Sequence, residues 1–163
     1  MINNQNGSRK ILGIDPGLTK TGWGVISSKN NNISFIAGGT IYTDAKQDLS
    51  HRLYHLHKNI NQVISLYLPN HIAIEKTFVN NNPVSSLKLG HARGVIMLSA
   101  SICGLDIYEY AATAVKKSVV GVGRAQKNQI AAMIKILLPQ ANCKSEDEAD
   151  ALAIAICHNN NHR

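Results

Sequence analysis

The segment that most limits what this chain can fold into is Ile11 to Gly24, Ile-Leu-Gly-Ile-Asp-Pro-Gly-Leu-Thr-Lys-Thr-Gly-Trp-Gly. A short apolar run, Ile11 to Ile14, reads as a strand that ends on one carboxylate, Asp15, where Pro16 and Gly17 force a turn. Asp15 therefore stands at the end of a strand in a sheet. An unpaired negative charge is costly there, so a cation or a hydrogen-bond network has to compensate it. The alternative is that Asp15 caps its own turn, a common use of Asp ahead of Pro-Gly. This segment alone leaves both readings open.

Two further strands follow. Thr21 to Ser28 and Ile33 to Thr43 are joined by the polar turn Lys29 to Asn32, so the first three strands form an antiparallel meander. From Asp48 to Leu68 the positions Leu49, Leu53, Leu56, Ile60, Val63, Ile64 and Tyr67 recur at helical spacing, and Pro69 ends that helix. The fourth strand, His71 to Glu75, closes on a carboxylate as the first does. Phe78 precedes the polar breaker Asn80 to Pro83, and either folds back on the core or stands on an exposed loop.

The second helix, Val84 to Cys103, places Leu87, His91, Gly94, Val95, Leu98 and Ile102 on one side. Gly90 and Gly94 sit one turn apart and cost roughly 1 kcal/mol each unless something packs close to the backbone. That something is either the chain's own sheet or a second copy. Leu105 to Ala111 is a fifth strand, and a helical turn from Thr113 to Val119 leads to Gly121-Val122-Gly123. This glycine-rich turn is expected to open a helix from Arg124 to Leu138, with Arg124 and Lys127 in its first turns, an arrangement suited to a phosphate. Lys116 and Lys117 either extend that basic rim or are a solvated charge run.

The last segment carries the strongest chemical signal. Ser145 and Glu148 fit a capping box, and Ala149 to Cys157 continues as a nearly all-apolar, hence buried, helix. Asp147 and Asp150 share a face one turn apart. The helix dipole accounts for Glu146 and for Asp147, but not for Asp150 inside the apolar run. A buried carboxylate there calls for a cation.

Charge narrows the partners. With 17 Lys and Arg against 10 Asp and Glu the net charge is +7, yet four of the ten acids lie between Glu146 and Asp150. A small basic protein favours a polyanion such as nucleic acid. The 163 residues suit one domain, here 11–158 with tails at 1–10 and 159–163. No apolar run approaches the roughly 18 residues of a membrane span, and the Asn-rich start lacks a secretory h-region. Cys103, Cys143 and Cys157 are odd in number without C-x-x-C spacing, which fits reduced thiols in the cytoplasm and neither disulfide nor zinc.

These elements describe an α/β fold, a mixed five-stranded sheet with helices on both faces. The ends of neighbouring parallel strands bring Asp15 and Glu75 together, and the C-terminal helix adds Asp147 and Asp150. Four such oxygen donors suit Mg²⁺, with Mn²⁺ as a substitute. Two ions about 4 Å apart can activate a water and stabilise a leaving phosphodiester oxygen. On a basic protein this points to a nuclease.

At these residues the chain resembles a known family. Ile-Asp-Pro-Gly at 14 to 17, Ala-Ile-Glu at 73 to 75, Lys-Leu-Gly-His-Ala-Arg-Gly at 88 to 94, Tyr-Glu-Tyr-Ala-Ala at 108 to 112, Val-Val-Gly-Val-Gly at 119 to 123 and Glu-Ala-Asp-Ala-Leu-Ala-Ile-Ala at 148 to 155 look like RuvC, the bacterial Holliday-junction resolvases. The resemblance runs from about Ile11 to His158 with the motifs in order. It implies an RNase H-like fold, a homodimer, Mg²⁺-dependent paired nicking of four-way DNA junctions, and cooperation with the RuvA and RuvB branch-migration proteins. By position it makes Asp15, Glu75, Asp147 and Asp150 the catalytic metal ligands, Phe78 the junction-probing aromatic, and Lys116 and Lys127 DNA contacts, which Arg124 joins from its place beside them. The chain departs from the family pattern at Asn80 to Asn82 and in its short C-terminal end. Two other classes remain. A sugar-kinase-like phosphotransferase would need two lobes, which 163 residues do not supply. A non-catalytic junction binder would have no use for a negative cluster facing phosphates.

Overall fold

A computed structural model describes residues 8–30, 32–76 and 82–162. Phe78 and, of the polar breaker, Asn80 and Asn81 lie outside those residues. Five strands form one sheet in the order β3-β2-β1-β4-β5: β1 (Arg9–Asp15), β2 (Lys20–Lys29), β3 (Asn32–Tyr42), β4 (His71–Glu75) and β5 (Asp106–Tyr110). The meander β1 to β3 is antiparallel, whereas β4 pairs parallel with both β1 and β5. Five helices cover the sheet: α1 (Leu49–Tyr67), α2 (Pro83–Ile102), α3 (Ala112–Val120), α4 (Lys127–Leu137) and α5 (Glu146–Asn161).

Strand alternation divides the core in two. Leu12 and Ile14 of β1, with Ile72 and Ile74 of β4, face α1 and α2 and pack with Leu56, Ile60, Ala92 and Ile96. Ile11 and Ala73 point the other way, into the cluster built by α3, α4 and α5. Gly13 and Ala73 are register partners, as are Ile14 and Ile74. One residue further on, Asp15 and Glu75 must project to the α5 face.

Helix α5 lies unusually close to the sheet. A Cβ on Gly13 would overlap the carbonyl oxygen of Ala151, one on Gly22 would overlap that of Asp147, and one on Gly24 would collide with the Leu152 side chain. These three glycines form a trough in which the helix rests on strand backbone. Its far end is tied down by His158, which is fully buried. The Tyr110 hydroxyl lies 2.8 Å from His158 Nδ1, and His158 Nε2 lies 2.9 Å from His71 Nδ1. Burial first, then neighbouring His71, His162 and Arg9, hold the His158 pKa down at about 3, so the ring is neutral.

Several expectations need correction. Strand β1 already starts at Arg9 and helix α5 runs on to Asn161, beyond the Ile11 and His158 that bound the sequence motifs. Gly121 does not open a helix but closes α3 in the left-handed conformation, at φ 88°. Helix α4 starts only at Lys127, capped by Gln126 and Gln129, which leaves Arg124 in the intervening turn. Ser145 caps the Glu148 amide as expected, but the Glu148 carboxylate reaches the amide of Lys144 instead of that of Ser145. In α2 the residues packed inward are Ala92, Ile96, Ser99 and Ala100, while Leu87, Leu98 and Ile102 are exposed. A Cβ at Gly90 or Gly94 would meet nothing within 4 Å, so these glycines do not serve packing on the chain's own sheet.

The trough makes a simple stability prediction. Gly13→Ala should lose at least about 2 kcal/mol, because backbone cannot move aside as a side chain can. Gly90→Ala should lose nothing and gain up to about 1 kcal/mol from helix propensity. Urea unfolding of both variants checks this, and equal stability of Gly13→Ala and the parent would refute the close seating of α5.

Candidate active site

The middle strand β1 has β2 on one side and β4 on the other, and connections leave it in both directions. Ligands of open α/β sheets bind beyond the carboxyl ends of strands at such a switch point. Asp15 and Glu75 are the last residues of β1 and β4. Asp147 is placed over Gly22, the register partner of Asp15, and Asp150 follows one helical turn later. A cleft of about 260 Å³ opens there, lined by Asp15, Glu75, Asp150, Lys116, Lys127 and the apolar Val115 and Ile130.

Asp15 does not cap its own turn. The Gly17 amide is taken by Thr21 Oγ1, and the Thr21 hydroxyl donates to the Gly17 carbonyl at 2.6 Å. The carboxylate is left facing the cleft. Burial, then Asp150, Glu75 and Asp147, push its pKa up to about 7, against the opposing pull of Lys127. Glu75 is raised by burial and by Asp150, and Asp150 by burial and by Asp147 and Glu146, while Lys127 acts downward on both. These couplings show that all four acids share one electrostatic site and that its negative charge is under-neutralised. Among the described residues no three His, Cys, Asp or Glu side chains close into a ready-made metal cage. The donor set is all carboxylate oxygen, which fits a hard divalent cation.

Lys127 opens α4 at the rim, with its Nζ 3.3 Å from Glu146 and 3.9 Å from Asp150. Lys116 projects from α3 into the same cleft. Arg124 is exposed in the turn before α4 and does not line it. The sequence reading thus had the two lysines in place and missed one buried cation. Arg52 of α1 is 7% exposed and donates from Nε to Thr43 Oγ1 at 3.0 Å and from an amino group to the Leu18 carbonyl and Thr19 Oγ1. It pins the turn that follows Asp15. Its place one turn before Leu56, on the inward face of an amphipathic helix, was the available signal.

The sequence profile of crossover junction endodeoxyribonuclease RuvC matches residues 11–158. The chain belongs to the RuvC family. The RuvC protein of Allorhizobium ampelinum is 53% identical over 152 residues, covering 93% of this chain and 90% of that protein. The RuvC protein of Agrobacterium fabrum is 51% identical, with 93% and 89% covered. Among solved structures, T. thermophilus RuvC in complex with a Holliday junction substrate superposes with a TM-score of 0.87 at 29% identity, covering 93% of each chain. The mixed sheet with helices on both faces is therefore the RNase H-like fold of RuvC.

The raised Asp15 pKa has a measurable sign. The carboxyl is harder to ionise in the folded chain than in the unfolded one, so its contribution is intact below about 3.8 and is lost as pH rises through about 7. Without divalent cations, Asp15→Asn should melt higher than the parent at about pH 8, and the gap should close toward about pH 4. Melting curves in chelator across that range test it. A gap independent of pH would remove the acid cluster's mutual repulsion from the account.

Proposed function

We propose that this chain resolves four-way DNA junctions by paired symmetric nicks, using Asp15, Glu75, Asp147 and Asp150 to hold divalent cations. The observation that carries this reading is the meeting of Asp15, Glu75 and Asp150 in one cleft rimmed by Lys116 and Lys127, with Asp147 one helical turn before Asp150 and close enough to act on Asp15. Mg²⁺ at two positions per subunit, or Mn²⁺ in its place, would supply an activated water and charge stabilisation at the leaving oxygen. The protein's own groups do the rest. Asp15 and Glu75, fixed on strands, set one wall of the site, and Asp147 and Asp150 set the other. Lys116 and Lys127 draw the phosphate into an otherwise repelling cleft. Arg124, exposed in the turn beside Lys127, extends the basic track for the backbone. Phe78, three residues past Glu75, stacks on an unpaired base, as the family resemblance implies.

A four-way junction has two equivalent strands to cut, which calls for two equivalent sites and hence a homodimer. The outward stripe of α2 supports that assembly. Leu87, Leu98 and Ile102 are 62%, 58% and 65% exposed, and the open backbone at Gly90 and Gly94 lets a second helix come close. Action alongside RuvA and RuvB in the cytoplasm completes the reading.

Two experiments test it. Purified protein with Mg²⁺ should cut a synthetic four-way junction and spare linear duplex. Asp15→Asn, Glu75→Gln, Asp147→Asn and Asp150→Asn should each reduce cutting by more than about 100-fold while binding is kept or tightened. Undiminished cutting in all four would sink the metal site. Gly94→Leu should convert a dimer into a monomer that binds but does not resolve junctions. Sedimentation of the parent as a monomer even on the junction would leave the α2 stripe without that role.

A further inference from the structure

Val84, Leu87, His91, Gly94 and Leu98 follow one another along α2 at alternating steps of three and four residues, the spacing of a seam between two helices packed knob into hole. Val84, Leu87 and Leu98 are exposed, and His91 is the polar member of the row. Its ring makes no hydrogen bond with any of the described residues. Nδ1 is shut inside the chain without a partner, which leaves Nε2 as the nitrogen that reaches the surface. A shut-in N–H with no acceptor is costlier than a shut-in lone pair with no donor. The proton of the ring therefore belongs on Nε2, and α2 presents an N–H donor in the middle of an apolar seam.

Gly90 and Gly94 flank that donor. A Cβ at either would meet nothing within 4 Å, so among the described residues nothing fills the notch they leave. The notch bares backbone carbonyls, whose second lone pairs remain open to a further donor. A single copy thus holds a knob without a hole and a hole without a knob. An isologous contact sets the same stripe on both copies, so each supplies what the other lacks. The hole facing a seam residue is lined by the neighbouring seam residues of the opposite helix, which for His91 include Gly94. The row carries no fixed charge, since Lys88 and Arg93 fall outside its spacing. On a chain of net charge +7, such a surface is one that two copies can share without repulsion.

We infer that His91 fixes the register of a homodimer, its ring seated in the notch at Gly90 and Gly94 of the second copy and its Nε2 proton donated to a backbone carbonyl there. This rests on the dimer reading and adds to it the residue that selects one alignment of α2 against α2. A lone polar group in an apolar seam selects register because other alignments leave it unsatisfied. Two centres that cut symmetric strands depend on that one alignment.

Sedimentation equilibrium over a concentration series gives the dimer dissociation constant of the parent, His91→Ala, Gly94→Ala and the double variant. His91→Ala should raise it about tenfold, the size of one buried hydrogen bond left unmade. Gly94→Ala, which fills the notch, should raise it by a similar factor. The double variant should be no more than about twofold weaker than either single one, because knob and notch are one contact. His91→Gln, which keeps a donor near the place of Nε2, should return to within about threefold of the parent. On a supercoiled plasmid bearing a cruciform, the parent should give linear product from two coupled cuts and His91→Ala mostly nicked circles. Effects that multiply in the double variant, a parent dimer indifferent to both substitutions, or no recovery with Gln overturn the contact alone. So does a lowered melting temperature of dilute, monomeric His91→Ala with its dissociation constant unchanged, which would place the ring in the fold. A parent that stays monomeric even on the junction overturns the dimer reading together with it.

Discussion

Contact between the backbone of α5 and the backbones of β1 and β2 decides where Asp147 and Asp150 stand relative to Asp15. Gly13, Gly22 and Gly24 remove the side chains that would hold a helix at the usual distance, and Ala151, Ala153 and Ala155 on the helix are themselves small and buried. The helix can then be neither lifted nor rotated without steric cost, since close-packed backbone has no soft direction. Asp147 and Asp150 inherit that rigidity, as do Asp15 and Glu75 from the central strands. Four acids on rigid elements keep their spacing even though they repel one another.

That repulsion is a stored cost. Burial and like charges raise Asp15, Glu75 and Asp150 together, and Lys127 offsets only part of it from an exposed position. Structural acids normally show the reverse, a depressed pKa from a dedicated basic partner. Among the described residues the shortest acid–base contact joins Arg93 of α2 to Glu109 of β5 at 2.6 Å, on the opposite face of the sheet. The contrast separates a carboxylate paired with its own base from carboxylates that face one another, and it agrees with the clustering of perturbed acids at functional sites.

Much of this was legible in the residues. Two strands ending in Asp15 and Glu75, and an apolar helix carrying Asp147 and Asp150, needed only the periods of strand and helix to be placed together. What escaped depends on contacts distant in sequence. Gly13, Gly22 and Gly24 read locally as weak points of a strand, because a glycine announces nothing about the helix 130 residues later that needs its missing Cβ. The apolar side of α2 was legible, but burial went to Ala92, Ile96 and Ala100, since small residues let α2 approach the sheet while its larger ones stay outside. Arg124 was placed on a helix for want of the capping pair Gln126 and Gln129, whose side chains start α4 three residues later.

The two ends of α5 carry proton sites of opposite sense. At His158 the folded state resists protonation, so stability is intact above about 6.5 and erodes as pH falls toward about 3. At the acid end Asp15 resists ionisation, and stability erodes as pH rises from about 3.8 through about 7. Over their shared interval the two slopes oppose each other, and in cation-free protein one masks the other. Anything positive that settles among the carboxylates abolishes the acid-end slope and exposes the histidine's. The shape of the acid unfolding curve is thus a report on occupancy at the opposite end of the helix, carried by a single rigid element and readable without any substrate.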